Sequence, residues 1–397
     1  MRSPFASSRH RRRLVALCFF SPLIGAPLSI AALAGPLADG DGAAPPRASV
    51  QQAEDALQWT FSVETIALAR QGGFNQTLVA RVPDSVPYYL PTGPAYDSGT
   101  YPGVEALNSD QFRQGLAAGP KLSLTYRDPS GYGVELSYFN VLDLSAAKSI
   151  GPDNPPDWLV MKAPGTFWQT QDFLYQAMAW KDATSLQSAE ANGRLDLSRR
   201  VTVLAGLRWL QLNDSLQGTL TPADRTEPTW KLNCSSDSPL ELLGDCSDYP
   251  GGTAAGSYPP FWTTSVTNNL FGVQLGLNGK LLELERLSLD GTIKAGLFDD
   301  VAEQSTIVSM KKQLFPSRAA TSQAAFASEA GLQVKYQLTK GLALKAGYEV
   351  LWLDGVALAP GQIQETLTTP TSVTALGVNC RSSALFQGGT VGLEYSF

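Results

Sequence analysis

The stretch VGLEYSF, residues 391–397, sets Val391, Leu393, Tyr395 and Phe397 against Gly392, Glu394 and Ser396. Strict alternation of apolar and polar side chains is the period of a strand with one buried face. Chain ends more often run out in small polar residues. An apolar stripe that reaches the last residue must be buried against something, and the rest of the sequence has to say what.

The same period recurs upstream. Trp59, Phe61 and Val63 open a strand over about 58–70, and Leu122, Leu124 and Tyr126 alternate with Ser123, Thr125 and Arg127. The turn Asp128-Pro129-Ser130-Gly131 leads into Val134, Leu136 and Tyr138 against Glu135 and Ser137, a hairpin with well-signed turn residues. A weaker strand near 184–197 turns at 198–200 into Val203, Ala205, Leu207 and Trp209. Phe271–Leu277, Leu287–Leu297, Phe326–Tyr336, Leu342–Tyr348 and the final strand, about 385–397, repeat the alternation. Short turns join these segments in pairs. Long polar connections, 71–118, 144–183, 214–265, 300–322 and 354–384, separate the pairs.

The amino terminus predicts export. Arg2, Arg9, Arg11, Arg12 and Arg13 precede an apolar run that closes on Ala32-Leu33-Ala34, the pattern of a removed signal peptide over residues 1–34. Residues 35–57, rich in Gly, Ala and Pro, read as an exported spacer. Without residues 1–34, 25 basic residues face 36 acids, a net charge of about −11. That balance disfavours a nucleic-acid partner, whose affinity rests on basic contacts to phosphate.

Export, alternating strands, and short turns on one side with long loops on the other predict an all-β fold. The expected form over 58–397 is a single transmembrane up-and-down antiparallel β-barrel of about 10 strands, range 8–12. Its turns would be periplasmic and its long loops extracellular. The range allows for Thr77–Val82 as one strand of a further hairpin. Lipid cannot hydrogen-bond an open sheet edge, so a sheet crosses a membrane only when closed. A soluble β-sandwich shares the alternation but gives no reason for the alternating loop lengths.

In a barrel the apolar stripes face lipid. The polar faces then place Arg127, Glu135, Glu190, Arg208, Asp290, Lys294, Glu329, Lys335, Lys345, Glu349 and Glu394 in the lumen. Trp209, Tyr348, Trp352, Tyr138 and Tyr395 are candidates for interfacial girdles, and Trp158, Trp168, Trp230 and Trp262 read as loop residues.

Chemistry is sparse. The one histidine, His10, lies in the signal segment, so Ser-His-Asp catalysis and most zinc sites are not expected. Asp299-Asp300 at a strand end has the ligands to bind Ca²⁺ or polarise water, but it reads first as a solvated acidic loop entry. Asp39-Gly40-Asp41-Gly42 lacks the later ligands of a calcium loop. No catalytic residue, cofactor or metal is expected. Cys234 and Cys246, in one polar loop, suit a disulfide in an oxidising compartment, with Cys380 as the rival partner of either.

The stretches GPKLSLTYRDPSGYGVELSYF (119–139), VTVLAGLRWLQLND (201–214), NNLFGVQLGLNGKL (268–281) and GYEVLWLDGVALAP (347–360) resemble the planctomycete-type family of outer-membrane β-barrel porin-like proteins. The resemblance covers about 58–397, and GYEVLWLDGVALAP is its most specific piece. It implies outer-membrane location and a barrel. The last strand also looks like the assembly signal of outer-membrane barrels, with Val391, Leu393, Tyr395 and Phe397 in its apolar positions; the barrel assembly machinery would read it. The expected function is porin-type passage of small solutes or a structural membrane role. The alternative is a closed barrel whose long surface loops act as an adhesin or receptor.

Overall fold

The computed structural model describes residues 58–83, 104–151, 157–161, 163, 175–222, 260–310, 313–369 and 372–397. Its strands are β1 (Gln58–Gln71), β2 (Thr77–Pro83), β3 (Val104–Asn108), β4 (Ala117–Arg127), β5 (Tyr132–Ile150), β6 (Asp157–Met161), β7 (Tyr175–Asp196) and β8 (Val201–Pro222). They continue with β9 (Phe261–Glu283), β10 (Leu287–Met310), β11 (Gln313–Gln337), β12 (Leu342–Val356), β13 (Thr366–Thr369), β14 (Ser372–Ala375) and β15 (Ser382–Ser396).

Ten of these form a closed antiparallel ring in the order β1-β4-β5-β7-β8-β9-β10-β11-β12-β15. The β1–β15 ladder seals it from Thr60↔Ser396 to Gln71↔Leu385. β2, containing the Thr77–Val82 stretch, pairs with β3 and β6, and β6 meets β7 at Leu159↔Tyr175. That hairpin sits beside the ring and leaves its strand number at ten.

The wall strands are longer than the sequence pattern predicts. β7 and β8 have 22 residues each, β10 has 24 and β11 has 25. Segment 300–322, expected as a loop, is therefore strand except at residues 311–312, which lie outside the described residues. Likewise 144–183 and 214–265 give their ends to β5, β7, β8 and β9.

The cause is a change of phase. On β8 the outward residues Val201, Val203, Ala205, Leu207 and Trp209 give way to Gln211, Asn213, Ser215 and Gln217. The inward residues change in the opposite sense, from Thr202 and Arg208 to Leu210, Leu212, Leu216 and Leu220. β9 and β10 switch at the same level, with Asn269 and Asp299 outside above Phe271 and Leu297. Period two persists while the apolar face crosses from outside to inside.

Below the switch the ring carries an apolar belt. Leu207, Leu275 and Ile293 are 66%, 68% and 65% exposed, a surface that water would not tolerate over such an area. From Val201 to Trp209 the belt runs roughly 30 Å along the strand. At a tilt of about 40° that spans a little over 20 Å, close to the apolar band of membrane barrels. Aromatics mark its edges. Trp59 packs on Tyr126 at 4.9 Å and Tyr395 on Phe397 at 5.9 Å at the turn end. Trp209 meets Phe271 at 6.4 Å and Phe326 meets Trp352 at 5.8 Å near the switch. Tyr138 and Tyr348 donate to Gln187 and Gln387, the first polar residues above the belt on their neighbours.

Short turns close the other end at 128–131, 197–200, 284–286 and 338–341. In the first, Gly131 takes φ +87° and Asp128 accepts from Ser130 Oγ at 2.7 Å and from Tyr132 N at 2.9 Å. Those bonds, the Ser130 hydroxyl foremost, hold the Asp128 carboxyl below its usual value.

Candidate functional site

The lumen is built in layers. In the belt half the inward faces carry charge, and nearly every charge meets its opposite. Arg127 pairs with Asp196 at 2.6 Å, Glu135 with Arg194 at 2.6 Å and Arg208 with Glu329 at 2.8 Å. Lys294 lies 2.9 Å from Glu190, 3.7 Å from Glu329 and 4.0 Å from Glu135. Lys335 bridges Asp290 at 3.6 Å and Glu394 at 3.2 Å, while Lys345 bridges Glu64 at 2.8 Å and Glu394 at 3.3 Å. Glu349 is paired with Lys121. All the lumen residues expected from the sequence thus sit on the inward face. The pattern missed their partners Glu64, Lys121, Arg194 and Asp196, although each holds an in-phase position on its strand.

The charged residues line a cavity of about 290 Å³ that runs from Arg127, Arg199 and Lys280 at the turn end up to Glu190, Lys294 and Lys345. Above it lies an apolar layer. Leu68, Leu186, Leu210, Leu270, Leu353 and Phe386 are each at most 2% exposed and pack in one cluster.

The next layer holds a buried ionic hub. Arg70 Nη1 donates to Asp214 Oδ1 at 2.5 Å and also to Thr184, and stands 4.0 Å from Asp182 Oδ2. Thr184 Oγ1 donates to Asp214 Oδ1 at 2.7 Å. Two non-strand segments dock on this hub. Gln114, between β3 and β4, donates to Asp182 at 2.8 Å and to Thr184 at 2.9 Å. Ala359 N donates to Asp214 Oδ2 at 2.8 Å.

Ala359 belongs to a plug. After β12 a bulge between Asp354 and Val356, with Gly355 at φ +78°, turns the chain inward. Val356, Ala357, Leu358, Ala359, Gln362 and Ile363 have no exposed surface. Wall amides hold the backbone. Asn268 donates to Ala357 O at 2.8 Å and accepts from Ala357 N at 2.7 Å. Gln323 donates to Gly355 O at 2.6 Å and Cys380 O at 3.1 Å, and Gln304 donates to Gly377 O at 2.5 Å. A buried backbone group left unpaired is costly, so amides on an inward face suit a segment that brings bare backbone into the lumen. The run GYEVLWLDGVALAP therefore combines a wall strand, a bulge and the first plug residues.

Above the plug, Leu78, Leu107, Leu159, Tyr175, Trp180, Leu216 and Trp262 form a second apolar cluster. Trp262, expected in a loop, lies on β9 and points inward with no exposed surface. Asp299 and Asp300 fall on opposite faces of β10, as neighbouring strand residues must. Asp299 accepts from Ser322 Oγ at 2.6 Å outside, while Asp300 is fully buried, so the two cannot share one ion. Among the described residues Cys380 is a buried thiol with no disulfide partner, pushed up to about 12 by burial and then by Asp300. Cys234, Cys246, the Asp39–Gly42 run, Trp168 and Trp230 lie outside the described residues.

No family model and no curated protein matches the chain. Solved structures align along most of the chain at low identity. The outer membrane protease OmpT from Escherichia coli aligns at 11% identity with a TM-score of 0.46, over 86% of this chain and 97% of that one. The translocator domain of autotransporter NalP from Neisseria meningitidis aligns at 9% and 0.33, over 85% and 88%. The P. putida toluene transporter TodX aligns at 12% and 0.30, over 86% and 90%. At these identities and scores neither protease nor transporter activity carries over to this chain.

Proposed function

We propose that the chain is a sealed outer-membrane barrel that anchors and displays its extracellular part, the closed-barrel alternative read from the sequence, and that it catalyses no reaction. The observation that supports this over porin-type passage is the plug. Val356–Ile363 occupies the lumen with its side chains shared between the two apolar clusters, and it is pinned to the adjacent strands β9 and β8 by Asn268 and Asp214. A solute would have to displace it together with the buried Arg70–Asp214 pair on which it docks. Leaving either partner of a buried pair alone costs about 3–5 kcal/mol, which disfavours a standing pore.

The outer-membrane assignment rests on the belt, the export signal expected over 1–34, and the apolar terminal strand that would engage the barrel assembly machinery. Lipid is the partner of the belt. Purified, refolded protein in a planar bilayer is expected to show no steady conductance, while protease added to intact cells trims the extracellular part. A stable open channel from the unaltered protein would overturn the sealed reading and restore passage of small solutes.

A further inference from the structure

The hub holds more negative charge than its neighbours offset. Asp182 from β7 and Asp214 from β8 face a single cation, Arg70 from β1. Thr184, Gln114 and the Ala359 amide, also against the hub, are uncharged. Arg70 sits on Asp214 at 2.5 Å and only 4.0 Å from Asp182, so Asp182 is the acid left over. It is 3% exposed, and an unpaired buried carboxylate is strongly disfavoured.

Two orphaned atoms sit beside it. Gln114 Nε2 donates to Asp182 Oδ2 at 2.8 Å, yet Gln114 Oε1 and Asp182 Oδ1 are both buried with no hydrogen-bond partner among the described residues. Both are acceptors if the acid is ionised, and a single proton between them satisfies both.

We propose that Asp182 is protonated on Oδ1 and donates to Gln114 Oε1, while Gln114 Nε2 donates back to Asp182 Oδ2. This cyclic acid–amide pair holds segment 112–116 to the wall through the buried side chain of Gln114, and its hold is pH-dependent. The proton comes from bulk water when the segment docks and returns there when it leaves.

Asp182 lies above Gln187, the upper limit of the belt on β7, and so outside the membrane-crossing part of the wall. Burial first, then Asp214, pushes it up to about 7, with Arg70 opposing. The docked state therefore binds the proton more tightly than the undocked state. Anchorage is fullest below the ordinary carboxylate value near pH 4, weakens as pH rises, and levels off above about 7.

The test uses refolded full-length protein in detergent micelles. The infrared difference between the unaltered protein and Asp182→Asn at pH 5 should contain the carbonyl stretch of a protonated carboxylic acid. Asparagine can make the same two-bond ring with Gln114 without a titrating proton. Hydrogen exchange of residues 112–116, as a ratio to Asp182→Asn at each pH, should rise about tenfold per unit between about pH 5 and 7. Gln114→Ala leaves the wall untouched and should expose the segment at every pH. Absence of the carboxylic acid band, or a flat exchange ratio, overturns the proposal. If Asp182→Asn fails to fold, the same two readouts against Gln114→Ala decide it.

Discussion

Trp59 and Phe397 exchange two backbone hydrogen bonds, Trp59 N to Phe397 O at 3.0 Å and Phe397 N to Trp59 O at 2.9 Å. They are the last rung of the seam that closes the ring, one step beyond Thr60↔Ser396. The Phe397 ring lies outward, stacked on Tyr395. Its apolar terminus is thus spent on closure and on the lower edge of the belt.

Deleting Phe397 removes both bonds and one aromatic of the lower girdle. Export should persist while insertion falls several-fold. Heat-modifiable mobility on gels, compared between membrane and periplasmic fractions, measures it; an unchanged folded fraction in the membrane counts against the role.

Lys294 serves three carboxylates, with Glu190 nearest at 2.9 Å and both side chains under a tenth exposed. Lys294→Met should destabilise the barrel by about 3–5 kcal/mol, because the acids are left behind. Adding Glu190→Gln should recover a substantial part of that loss. Urea unfolding in lipid vesicles reads the loss for each single variant and for the double, and a double-variant loss equal to the sum of the two single losses would mean the pair is not coupled.

Asn268 bonds both backbone groups of Ala357. Asn268→Leu keeps the volume and leaves that N–H and C=O without their partner, a loss of about 2–4 kcal/mol. Limited proteolysis should then reach residues 356–363, which are buried in the unaltered barrel.

Gly355 adopts φ +78°, and a Cβ there would sit 3.1 Å from Ala324 O. Gly355→Ala is expected to cost about 1–2 kcal/mol from the left-handed backbone alone. The urea midpoint should drop while the gel mobility of the folded barrel stays unchanged.

The ring was legible because lipid demands an apolar outward stripe, and Val203–Trp209, Phe271–Leu277 and Leu287–Leu297 display it plainly. Strand length was hidden where the stripe changes face. In WLQLND, residues 209–214, Leu210 and Leu212 continue the period inward, but a search for one constant face ends at Trp209. The hub was invisible for a different reason. Arg70, Asp182 and Asp214 are far apart in the chain, and only closure of the ring brings them within 4.0 Å. Asn268 carried a faint signal, a second asparagine beside Asn269 on a strand, yet nothing local distinguishes the one that faces Gln211 outside from the one that holds the plug.

The phase change on β8, β9 and β10 has a consequence for assembly. A strand that slipped by one residue against its neighbour would turn every side chain over. Below Trp209 that would drive Arg208 into lipid, and above it Leu210 and Leu212 into water. Each strand is proofread twice, by two solvents of opposite preference, and no single slip can satisfy either one.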